Sequence, residues 1–173
     1  MKIWAMLNKS QPSFESKEMN KLMISAEITP EEEAEVEAVL DVLNEVYDVF
    51  DELFDKKVAS ALKRKVKSET HTVSLAPFAK IVSESEAEDK IEQFAWFIHD
   101  FYGEGKETSS NDSYNMACAG GSAKAVNISR RNTALLEAWD KFAAENANEP
   151  EEETSEEETF EEDDFESEEL AFA

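Results

Sequence analysis

The sequence predicts a mainly α-helical fold, a small bundle around one long amphipathic helix, followed by a disordered acidic C-terminal tail. Three observations predict it. Between Glu31 and Lys67 no glycine or proline interrupts apolar residues that recur at helical spacing. All four glycines fall between residues 103 and 121, so the flanking segments are free to be helical. Residues 146–173 hold fourteen carboxylates, four isolated apolar side chains and no Lys or Arg. Such a stretch buries too little apolar surface to offset its ordering entropy. The expected organisation is a predominantly helical globular domain over residues 1–145 and a tail over 146–173.

The elements follow in order. Lys2–Leu7 and Thr70–Leu75 read as short strands able to pair as a minor two-stranded sheet. Glu18–Ala26 reads as a short helix. Thr29-Pro30-Glu31-Glu32 starts the long helix: Thr29 caps, Pro30 takes the first position and Glu32 closes a capping box. Its apolar face runs through Val36, Val39, Leu40, Leu43, Val46, Tyr47, Phe50, Leu53 and Phe54, widened by Val42 and Val49. Unbroken to residue 67, it would approach ~57 Å. The stripe thins over Lys56–Ser60, where a break is expected if one occurs. A further helix is expected from Ser85, with Glu88 completing a capping box, and to end at Gly103. Residues 103–130 read as a long loop, and a last helix is expected from Asn132, with Leu135, Leu136, Trp139, Phe142 and Ala143 facing inward.

Charge bounds the function. The first 145 residues hold 27 acids against 17 bases, and the tail brings the net charge to −24. That field opposes DNA, RNA and anionic lipid unless cations are gathered locally, and favours proteins with basic surfaces. Cations are gathered in one place. Residues 31–55 contain eleven acids and no base, whereas residues 56–67 contain Lys56, Lys57, Lys63, Arg64, Lys65 and Lys67 and no acid. Acids suit a helix N-terminus and bases its C-terminus, but the dipole acts over about one turn. Asp41, Glu45, Asp48, Glu52 and Asp55 follow at steps of three and four, an exposed row that suits a DNA mimic. The basic block, extended by Lys124, Arg130 and Arg131, is the candidate footprint for single-stranded nucleic acid, with Trp4, Phe14 and Phe78 as candidate stacking aromatics.

Catalytic patterns are sparse. His71 and His99 stand alone, Ser60-Ala61-Leu62-Lys63 lacks the companions of an S-x-x-K site, and Gly120–Lys124 lacks P-loop spacing. The expectation is a non-enzymatic protein with no cofactor and no metal. Cys118 is the single cysteine, so no intrachain disulfide forms. The apolar opening Ile3–Leu7 is too short for a signal-peptide core, so no membrane association and a cytoplasmic location are expected.

The tail stretch Glu161-Glu162-Asp163-Asp164-Phe165 through Leu170-Ala171-Phe172-Ala173 resembles the acidic C-terminal tails of bacterial and phage single-stranded DNA-binding proteins. The resemblance covers the tail alone, and Ala173 follows Phe172 where those tails end on the aromatic. It implies recruitment of partner proteins through Phe165, Leu170 and Phe172. A flexible coil of this length reaches about 30 Å, against a body radius of gyration of about 15 Å. It therefore competes for the basic block at an effective concentration on the order of millimolar. The function expected is an accessory protein of nucleic-acid metabolism, of a kind phages encode. The alternatives are an acidic module that mimics DNA to inhibit a DNA-binding protein, and a scaffolding bundle that self-associates through its long helix.

Overall fold

The capping box at Thr29 forms as the sequence implies: Glu32 N–H donates to Thr29 Oγ1 at 3.2 Å, and Thr29 N–H donates to the Glu32 carboxylate at 3.0 Å. The structure, a computed structural model, describes residues 1–103 and 109–146. The described residues form eight helices and no strand: α1 Lys2–Asn8, α2 Ser16–Ser25, α3 Pro30–Leu53, α4 Lys56–Val66, α5 Glu69–Glu84, α6 Lys90–Tyr102, α7 Ser109–Ala119 and α8 Ala125–Asn146. The tail expected at 146–173 lies outside the described residues except for Asn146, which ends α8.

Both expected strands are helical, which corrects the minor sheet. Lys2–Leu7 lies in α1 and Thr70–Leu75 in α5, and α1 packs on α5. The alternation of Thr70, Thr72 and Ser74 with Val73 and Leu75 imitates a strand, but the wider segment is buried on nearly every side. Leu75, Ala76, Phe78 and Ala79 are fully buried, with Val73 and Val82 nearly so. Each larger apolar side chain buried contributes ~1.5–3 kcal/mol, so together they outweigh the ~3 kcal/mol cost of Pro77 inside the helix.

The long helix breaks at Phe54–Asp55, just before the interval where its stripe thins. Asp55 Oδ1 accepts the backbone N–H groups of Lys57 (2.8 Å) and Val58 (3.2 Å), capping α4. The chain then doubles back, because Lys63 reaches Asp51, and Lys63 and Lys67 both reach Tyr47. α3 and α4 are thus an antiparallel hairpin, and this replaces the expected 57 Å rod.

The remaining onsets also differ. α6 starts at Lys90 because Ser85 closes α5 as its C-cap instead of opening the next helix. The expected 103–130 loop contains α7 and the first turns of α8, held by burial of Tyr114, Ala117 and Ile128. Leu136 and Ala143 are exposed on α8, whereas Leu135 is buried and Trp139 and Phe142 are half-buried. The core lies among α3, α5, α6 and α8, where Phe50, Phe78, Phe94, Phe97 and Leu135 meet.

Candidate nucleic-acid interface

Two sides of α4 treat the basic block differently. On the α3 side, Lys63 Nζ lies 2.6 Å from Asp51 and 4.4 Å from the Tyr47 ring centroid, and Lys67 Nζ lies 4.5 Å from the same ring. The hydrogen bond to Asp51, reinforced by the charges of Asp51, Tyr47 and Asp48, raises the Lys63 pKa above its ordinary value. This cation is already answered by the protein's own acid. Lys57, Ala61 and Lys65 follow at four-residue steps along the other side, toward α6. There a notch of about 130 Å³ opens between Lys57, Val58, Ala61 and Leu62 of α4 and His99 and Tyr102 of α6. Lys65 Nζ stands 5.7 Å from the Tyr102 ring, and Lys56, Lys57 and Arg64 are exposed. Gly103 closes this end of α6: its N–H donates to His99 O at 2.7 Å, and a Cβ there would lie 2.4 Å from the same oxygen.

Aromatic side chains continue the notch. The ring centroids of Phe54 and His99 are 4.7 Å apart and nearly parallel, and Trp96 meets Phe54 edge-on at 4.7 Å and His99 at 5.6 Å. Trp96 remains 44% exposed. Trp4, Phe14 and Phe78, the aromatics expected to stack, lie elsewhere in the fold. Trp4 and Phe78 are buried and Phe14 is half-buried, so of these none offers the open ring that Trp96 does. The missed signal was a tryptophan off the apolar stripe of an amphipathic helix, where core packing does not call for one.

The other candidates are dispersed. Arg130 is exposed on α8, whose main neighbour is α7. Arg131 is 2% exposed and points inward. Its Nε–H donates to Ser74 Oγ at 3.0 Å, and Nη1 donates to Ala117 O at 3.2 Å and Ser122 O at 2.9 Å. The structure thus keeps Arg131 apart from the surface block. Phe165, Leu170 and Phe172 lie outside the described residues.

Arg131 borders a polar cluster that the sequence did not reveal. His71 Nδ1 and the Tyr114 hydroxyl are 2.7 Å apart, and the Tyr102 hydroxyl donates to that of Tyr114 at 2.9 Å. Burial lowers the His71 pKa to about 4, helped by the charges of Lys65 and Arg131. Burial pushes Tyr114 up to about 12, Tyr102 well above its ordinary value, and the Cys118 thiol upward. Near neutral pH these four groups are therefore uncharged, and the cluster supplies neither a thiolate nor a phenolate nucleophile. Its evident work is to tie α5, α6, α7 and α8 together.

No protein-family model, no curated protein and no solved structure matches the chain. Among the described residues, no helix is long and apolar enough to cross a membrane, and no three His, Cys, Asp or Glu side chains gather as a metal site.

Proposed function

We propose that this is a non-enzymatic accessory protein of nucleic-acid metabolism that binds single-stranded nucleic acid along α4. The observation that carries the reading is local. On a chain of net charge −24, Lys56, Lys57, Arg64 and Lys65 gather on and beside one helix edge that is flanked by aromatic rings. Lys67 adds a further exposed cation beside Tyr47. With five phosphates neutralised, log affinity falls with log salt at a slope of about −3.5. Residues 147–173 compete for these cations, and nucleic acid that displaces them frees Phe165, Leu170 and Phe172 to recruit replication or repair proteins. The test is fluorescence anisotropy with labelled single-stranded DNA at two salt concentrations, comparing the full chain with one ending at Asn146. Removing the tail should tighten binding at low salt. Equal affinity of the two forms rejects the competition, and absence of binding in both rejects the function.

A second reading has its own observation. Asp41, Glu45, Asp48 and Glu52 stand exposed in one row on α3, the pattern of an acidic module that occupies a basic, DNA-binding surface. It predicts no nucleic-acid affinity, and competition with DNA for a basic partner.

A further inference from the structure

We propose that Trp96 is a stacking platform for an unpaired nucleobase, so that the strand lies with its phosphates on α4 and its bases over α6. The inference rests on the nucleic-acid reading above and adds where the bases go. Trp96 sits among Phe94, Ala95, Phe97 and Ile98, all buried, yet it is 44% exposed itself. Its ring is nonetheless fixed, braced by Phe54 at 4.7 Å and His99 at 5.6 Å, both nearly perpendicular to it. A braced ring loses little rotamer freedom when a base lands on it. The charges around it orient the strand. Glu92, exposed one helical turn from Trp96, repels phosphate along α6. Lys57 and Lys65 attract phosphate along the α4 wall of the notch. A backbone drawn to α4 and refused by α6 presents its bases to Trp96. Only an unpaired base has a free face to offer, so the platform selects single strands over duplex.

The test uses the full chain, Trp96→Ala and Trp96→Phe, with two labelled ligands of equal length: oligothymidylate and an abasic deoxyribose-phosphate chain carrying the same charges. The wild type should bind oligothymidylate about 5- to 150-fold more tightly than the abasic chain, the range that stacking on one aromatic confers. Trp96→Ala should abolish that margin while leaving abasic affinity and the salt slope unchanged, and Trp96→Phe should restore part of it. Circular dichroism checks that the variants remain helical. Equal wild-type affinity for the two ligands, or a margin that survives Trp96→Ala, overturns the stacking role and leaves phosphate binding by α4 intact. Failure of the wild type to bind either ligand at low salt overturns both.

Discussion

Arg131 donates its Nε–H to Ser74 Oγ across 3.0 Å, joining α8 to α5 inside the protein. Two backbone carbonyls, Ala117 O and Ser122 O, accept from Nη1. The planar guanidinium holds one hydroxyl and two carbonyls at fixed angles, which a lysine ammonium on a flexible stem does not reproduce. Arg131→Ala should lower stability by about 3 kcal/mol, from lost packing together with buried acceptors left without donors. Arg131→Lys should recover less than half of that. Urea denaturation followed by circular dichroism measures both.

His71 makes stability depend on acid. Its folded pKa of about 4 lies below the unfolded value of 6.5, chiefly because burial disfavours the charged form. The unfolded chain therefore binds the proton first as pH falls. The stability linked to His71 is complete above 6.5 and is lost between 6.5 and about 4. Allowing for solvent screening at this partly exposed ring, the loss is about 1–2 kcal/mol. Carboxylate protonation relieves self-repulsion in the same range and opposes the trend. The comparison with His71→Gln isolates the effect: the gap between wild-type and variant stabilities should change by that amount from pH 7 to pH 4.

The two sides of α4 should separate in salt titrations. Lys56 and Arg64 are exposed, so replacing both by Ala should make the slope of log affinity against log salt shallower by about 1.4. Lys63 is bound to Asp51, so Lys63→Ala should leave the slope unchanged. Equal effects from the two changes would show that the division between the sides does not govern binding.

Asp55 caps α4 through two backbone N–H groups. Asp55→Ala should cost about 1 kcal/mol, and Asp55→Ser, which keeps a capping oxygen, much less. Thermal unfolding of the three proteins checks the order.

The sequence was most legible where local chemistry acts alone. Thr29, Pro30 and Glu32 announce the start of α3 through bonds within one turn, and Gly103 announces the end of α6. It misled where burial decides. Thr70–Leu75 alternates like a strand but becomes helical because Leu75, Ala76 and Phe78 are enclosed by other helices. The Ser- and Asn-rich stretch before Gly120 resembles a loop, yet Tyr114 and Ala117 sink into α8 and the core and carry α7 with them. The basic block was visible as composition, but its division was not, because that depends on the chain turning at Asp55. Arg130 and Arg131 are adjacent in sequence and opposite in fate, one exposed and one enclosed. Trp96 is hard to read from sequence because it is exposed beside the buried face of α6 formed by Phe94, Ala95, Phe97 and Ile98.

The turn at Phe54–Asp55 has a kinetic consequence. In a straight rod, the positive end would stand far from the negative one and pull polyanions in from a distance. Folded side by side, the opposite poles stand about one interhelix spacing apart, ~8–10 Å, and largely cancel at distances longer than that. An approaching strand then senses the net negative molecule until it is almost touching α4. Encounter should be slow in dilute buffer and quicken when moderate salt damps that repulsion, the reverse of an electrostatically steered binder.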